Sequence, residues 1–308
     1  MNTSDAFSPI IGTAQELEPG LRRIVAPNPS PMTYKGTNTY LVGTRDIAVI
    51  DPGPNNPDHL QAILGALRLG QFISHIIVTH THLDHSPLSR PLSLASNAPV
   101  LGFGSASAGR SARMTQLVQS GFIGGGEGID TGFFPDRLLG DGDIICGDGW
   151  QLRIIHTPGH IGNHICLAWE DRCFTADHVM GWASSLVSPP DGDLTDFMAS
   201  CERLKEMNWR VFYPGHGAPV ATPNARLEWL ISHRRSRECA ILSELSSGSS
   251  TAKDITRRVY KATPPGLLLA AERNVLAHLI DLTDKSLVTY RGALDEYTVF
   301  EAIHRGTE

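Results

Sequence analysis

Two kinds of apolar pattern alternate along the chain. Short runs rich in β-branched residues end in turn chemistry and read as strands: TNTYLVG (37–43), RDIAVIDPGP (45–54), HIIVTH (75–80), PVLGF (99–103), QLRIIHT (151–157), HICLAWE (164–170) and RVFYPGH (210–216). The first two are close enough to form a hairpin pair. Between the runs, NPDHLQAILGALRLG (56–70) sets Leu60, Ile63, Leu64 and Leu67 at the spacing of an amphipathic helix. LTDFMASCERLKEM (194–207) repeats it with Leu194, Phe197, Met198, Cys201 and Leu204. Strands interleaved with helices predict a layered α/β body whose sheets are covered by helices. Residues 105–149 break the rhythm. Rich in Ser and Gly and containing Gly124-Gly125-Gly126, they read as an insertion with a mobile loop, a lid over a site.

A second change comes near residue 225. Beyond it lie three helical stretches, NARLEWLISHRRSRECAILSELSS, TAKDITRRVYKA and PGLLLAAERNVLAHLIDLTDKS, and a strand pair, LVTYRG and EYTVFEAI, closes the chain. Three helices and a terminal hairpin are the elements of a winged helix. The predicted division is 1–225 for the α/β body and 226–308 for the winged-helix-like unit.

Composition narrows the class. Of 308 residues, 41% are hydrophobic and 19% charged, which places the chain among ordinary globular proteins rather than disordered ones. The net charge of −6 sets up no field that recruits nucleic acid or an anionic membrane. Residues 226–308 hold 12 Lys and Arg against 11 Asp and Glu, a net of +1, so the remaining −7 lies in the body. The opening residues lack a basic stretch and a long apolar core, and no apolar run approaches the length of a membrane span. Five scattered cysteines, never spaced as CxxC, predict reduced thiols in a cytoplasmic setting and no thiolate metal cluster.

The chemistry concentrates at strand ends. In Thr79-His80-Thr81-His82-Leu83-Asp84-His85, His80 and His82 are two apart on extended chain and point to one side, where two imidazoles can share an ion. A turn after Leu83 aims Asp84 and His85 at an adjacent position. His160 comes after a Pro-Gly turn, Asp177 lies in FTADH with a carboxylate able to bridge two ions, and His216 sits between glycines that let the backbone approach a crowded site. Imidazole and carboxylate donors suit zinc first, and also iron, manganese or cobalt. Asp51, at the end of a strand, is a candidate to orient a ligand imidazole, and His178 and His164 are candidates for supporting or substrate roles. Met32, Tyr34, Tyr40 and Phe103 are candidates to wall a pocket.

Here the chain resembles the metallo-β-lactamase superfamily, whose HxHxDH signature is His80, His82, Asp84 and His85. The resemblance continues through HTPGH, the Asp177 motif and YPGHG. It implies an αββα sandwich, a catalytic domain over 1–225 with its site at one sheet edge. His80, His82 and His160 would hold one divalent ion, and Asp84, His85 and His216 a second, with Asp177 bridging them. No cysteine stands where class B1 β-lactamases place one on their second metal, a departure from the resemblance that argues against antibiotic hydrolysis. PNPSPMTYKGTNTYLVG, YPGHG with ISHRRSRE after it, and the winged-helix tail also resemble the metallo-β-lactamase-like protein 2 group, which includes endoribonucleases acting on single-stranded RNA.

The expectation is a hydrolase in which a hydroxide bridging two metal ions attacks a small ester, thioester or lactone, with Asp84 orienting it and taking its proton. The alternative is a single-stranded RNA endoribonuclease. An oxygen-handling redox enzyme would call for a flavin partner, and a structural zinc site would be closed and four-coordinate, whereas seven donors for two ions leave positions open. The basic residues Arg234, Arg235, Arg237, Arg257 and Arg258 diverge on helical geometry, so the favoured role of the tail is packing, on the catalytic domain or on a second copy in a homodimer.

Overall fold

The computed structural model describes residues 7–122 and 128–303. A seven-stranded sheet runs in sequence order: β1 (Gln15–Glu18), β2 (Leu21–Val25), β3 (Asn38–Val42), β4 (Asp46–Ile50), β5 (Phe72–Ile77), β6 (Val100–Gly102) and β7 (Arg137–Leu138). A five-stranded sheet has the order β12-β11-β10-β9-β8, from β8 (Ile144–Gly147), β9 (Trp150–His156), β10 (Ile165–Trp169), β11 (Arg172–Ala176) and β12 (Val211–Pro214). Their facing sides bury one apolar cluster that includes Tyr40, Ile50, Ile77, Leu152, Ile154, Leu167 and Phe174. Helices α1 (Pro57–Gly65) and α2 (Ser89–Ser96) cover the outer face of the first sheet through Ile63 and Leu92. Helices α4 (Leu194–Lys205) and α5 (Pro223–Ser246) cover the second through Phe197, Cys201, Leu227 and Leu230. The four layers are those of an αββα sandwich.

The segment 105–149 is less of an insertion than its composition predicts. It supplies α3 (Ala112–Gln119) and also β7 and β8, one edge strand to each sheet. Those strands are two and four residues long and mostly exposed, so they carry almost no apolar alternation. The Gly124–Gly126 run lies outside the described residues. Residues 128–130, just beyond it, are fastened to the HxHxDH loop: Leu83 N–H donates to Gly128 O (2.7 Å), Asp130 N–H to Thr81 O (2.8 Å), and Ser86 Oγ to Asp130 Oδ2 (2.6 Å).

The C-terminal third adds α6 (Ala252–Val259), α7 (Leu268–Asp284) and a small sheet of β13 (Ser250–Thr251), β14 (Val288–Tyr290) and β15 (Val299–Ala302) in the order β13-β15-β14. Helix α5 crosses residue 225 without a break. Its first half packs on the second sheet, and its second half, through Ile241 and Leu245, enters a separate cluster with Val275, Leu279 and Phe300. Met114, Leu117 and Phe122, from and just after α3, belong to that same cluster. Among the described residues no helix is long and apolar enough to cross a membrane.

Candidate metal centre

Strand ends deliver the site. β5 leads into His80–His85, β9 into His160, β11 into Asp177 and β12 into His216. All seven predicted donors meet. His80, His82, His160 and Asp177 bring one donor atom each within 4.8 Å of one another, as do Asp84, His85 and His216. Asp177 faces both groups. Its Oδ2 is 3.8 Å from His160 Nε2, and its Oδ1 is 3.5 Å from His85 Nε2 and 3.4 Å from His216 Nε2. Asp84 Oδ2 lies 3.1 Å from His216 Nε2 and 3.3 Å from His85 Nε2.

Hydrogen bonds behind the rings settle which nitrogen faces the site. Asp51 Oδ1 accepts from Thr79 N–H (2.8 Å), and Asp51 Oδ2 accepts from Thr79 Oγ1 (2.7 Å) and His85 Nδ1 (2.9 Å). Thr79 Oγ1, having donated, accepts from His80 Nδ1 at 3.0 Å. One carboxylate therefore fixes the Nδ1 proton of two histidines and leaves both Nε2 atoms pointing inward. Asp51 is also near enough to His80 and His85 to be grouped with them as a donor. Both of its oxygens are already engaged, so it serves as an orienting group. His160 Nδ1 donates to Leu186 O (2.7 Å), and His216 Nδ1 to Gly36 O (3.3 Å).

These residues fit a metal. His80 Nε2 and Asp177 Oδ1 are buried and make no hydrogen bond, and His160 Nε2 faces His82 Nδ1 at 3.0 Å. Buried acceptors without a donor are costly unless a cation or proton lies against them. Burial, reinforced by neighbouring histidines, lowers the pKa of His80 far below its usual value and that of His82 to about 3, so protons do not fill this role near neutrality. On the other side, burial opposes the charge of His85 and His216, but Asp84 and Asp177 outweigh it, holding His85 well above its usual pKa and His216 at about 9. The site is thus divided into a neutral imidazole cluster and a charge-paired cluster.

The backbone is shaped around it. Asp51 and Ala176, which precedes Asp177, both take positive φ (50° and 41°), an uncommon conformation for residues with side chains. A methyl group on Gly215 would collide with Asp177 Oδ1 and come within 2.8 Å of His85 Cε1. Asn38, fully buried, donates from Nδ2 to Pro214 O and Gly217 O, holding the YPGHG turn against β3.

The remaining candidates lie farther back. His164 Nδ1 pairs with Thr157 Oγ1 (2.9 Å), and its ring packs 5.1 Å from that of His80. His178 turns toward Cys201 Sγ (3.5 Å) and the Phe197 ring. Tyr40 and Phe103 belong to the core between the sheets. Tyr34 stacks on Trp182 at 4.9 Å, and Trp182 also packs against Gly217, beside His216. Sequence reasoning missed Trp182, Asn38 and Ser185, since a lone Trp, Asn or Ser carries no spacing signal.

Comparison with known proteins identifies the family of this fold. Residues 32–216 match the metallo-beta-lactamase superfamily and residues 251–295 match the beta-lactamase associated winged helix domain. A beta-lactamase-like protein 2 homolog from Caenorhabditis elegans is 30% identical over 272 residues, 85% of this chain and 83% of that protein. An atrochrysone carboxyl ACP thioesterase from Cryptosporiopsis is 28% identical over 254 residues, covering 81% of this chain and 70% of that one. The crystal structure of a metallo-beta-lactamase family protein from Thermus thermophilus superposes with a TM-score of 0.74 at 25% identity, covering 94% of this chain and 100% of that one. With its four-layer sandwich, its clustered histidines and aspartates and its winged-helix tail, the chain belongs to the metallo-beta-lactamase superfamily and is an enzyme of its hydrolase type.

Proposed function

We propose that the chain is a two-metal hydrolase of small acyl substrates: esters, thioesters or lactones. The observation that carries this reading is that two donor groups face the two oxygens of one buried carboxylate, Asp177. His80, His82 and His160 would hold one divalent cation, Asp84, His85 and His216 the other, and Asp177 both. A bound pair supplies Lewis acidity, which lowers the proton affinity of water and polarises the oxygen under attack.

The residues of the chain do the rest. His80, His85 and His216 are buried, whereas His82 and Asp84 are half-buried and flank exposed Leu83, so substrate arrives on their side. The Asp84 carboxylate is a quarter exposed, and Thr37 Oγ1 donates to its Oδ2 at 3.3 Å. That leaves Asp84 oriented and still in reach of the proton released by attacking water. The stacked Tyr34–Trp182 pair offers a flat apolar wall beside the charge-paired cluster. A thioesterase among the relatives supports the acyl class.

The ribonuclease alternative has less behind it. Arg234 is buried, and Arg235, Arg257 and Arg258 are held by Glu202, Asp254 and Glu244. Arg237 lies over the Tyr260 ring, 4.7 Å from its centroid. Such residues make a poor track for phosphates. The test is a panel of chromogenic ester, thioester, lactone, cephalosporin and bis-p-nitrophenyl phosphate substrates, with single-stranded RNA, on zinc- and manganese-loaded protein. Chelator-sensitive turnover concentrated on the acyl substrates is expected. Preferential cutting of RNA, with binding that weakens steeply in salt, would replace this reading by the alternative.

A further inference from the structure

The segment between Asp177 and α4 has no regular secondary structure, yet its backbone is held at four points by side chains from the C-terminal third. Arg226 donates from Nε to Met180 O (2.7 Å) and from Nη2 to Ala183 O (2.6 Å). Arg234 donates from Nη2 to Ser185 O, and from Nη1 to Asn274 Oδ1 at 2.8 Å. The same Asn274 oxygen accepts from Val187 N–H at 3.1 Å. The segment so held connects directly to the metal donors. Ser185 Oγ donates to the carbonyl pair of Asp177 and His178, and Leu186 O, between the two tethered residues, accepts from His160 Nδ1.

Arg234 is an expensive way to fill space. It is 2% exposed, its Nε has no hydrogen-bond partner, and among the described residues its two terminal nitrogens bond Asn274 Oδ1 and Ser185 O rather than a carboxylate. A buried guanidinium held only by neutral oxygens and the face of Phe197 carries a desolvation penalty that an apolar side chain would avoid. In return it supplies direction: a planar fork that fixes one carbonyl and one amide oxygen in a single register.

We propose that Arg234 and Asn274 are positioning residues that aim His160 and Asp177 by fixing the Ser185–Val187 backbone, so that α5 and the winged-helix residue Asn274 together set the geometry of the three-histidine side of the site. This inference rests on the two-metal reading, and the experiment separates the two. The full chain is compared with Asn274→Leu, Asn274→Asp and Ser185→Ala by hydrogen–deuterium exchange over 177–187 and by zinc titration against a chromogenic chelator. In Asn274→Leu, exchange over 177–187 is expected to quicken several-fold while the sheet strands stay unchanged. One of two zinc equivalents should bind about 10-fold more weakly. Asn274→Asp keeps an acceptor for both Arg234 and Val187 N–H and should stay near the parent. Ser185→Ala, which removes one hydroxyl, should behave like Asn274→Leu and is read alone if the latter does not fold. Parental exchange and parental zinc affinity in both Asn274→Leu and Ser185→Ala would overturn the proposal. A parent that takes up no zinc would sink the two-metal reading, and the exchange comparison would then decide the bracing by itself.

Discussion

Asp177 stands within ion-pair distance of one histidine on one side of the site and two on the other, so under the two-metal proposal its removal should act on both ions together. Asp177→Ala is expected to lower metal affinity and turnover by more than about 100-fold with the fold retained, read by elemental analysis and circular dichroism. Gly215→Ala places a methyl group against the same carboxylate and should mimic that loss without changing a single donor. Normal metal content in Gly215→Ala would show that the turn yields. A separate effect is set by His59, which is fully buried against Thr39 and whose pKa burial lowers from 6.5 to about 4. Between those values the unfolded chain binds the proton and the folded chain resists it, so stability falls as pH drops from about 6.5 to about 4. The contribution is about 3 kcal/mol. His59→Gln should flatten that part of a urea-unfolding series across pH; an unchanged slope would assign the effect to other buried histidines.

At the scale of elements, helix starts tie distant segments together. Asp193 caps α4 by accepting from Thr195 N–H (2.9 Å), and its other oxygen accepts from Ser111, itself the cap of α3. Asp193→Ala should cost about 1–2 kcal/mol in denaturant unfolding, since two helix ends lose a partner at once. Elements of this kind were partly legible in the sequence. The strands that deliver His80, His160 and His216 announce themselves, because each is a run dominated by apolar residues that stops abruptly in polar or turn chemistry. β1 and β7 do not, because edge strands shield less of the core and keep polar residues, and β8 is an edge strand of only four residues with a single buried position. The seven donors share spacing and strand-end position, and so could be found together. Among their supports Asp51, at a strand end, could be found with them, but Asn38, Ser185 and Asn274 act through backbone groups, most of them far away in the sequence, and nothing in their local context marks them.

For the molecule as a whole, metal and fold should be linked. Ligands that bind only the folded state stabilise it by mass action, so stripping the metals with a chelator should lower Tm by several degrees, and zinc should restore it. No shift on stripping would mean that the folded chain binds no metal in preference to the unfolded one. The cluster shared by α3 and the C-terminal helices has a consequence for how the chain is made. Met114, Leu117 and Phe122 leave the ribosome long before Ile241, Val275 and Phe300, the residues that cover them. At about 5–20 residues per second the nascent chain carries this uncovered apolar face for roughly 10–40 s. A chain ended by a stop codon near residue 225 would carry it permanently. Such a product should be recovered with chaperones or in inclusion bodies, however complete its set of histidines and aspartates.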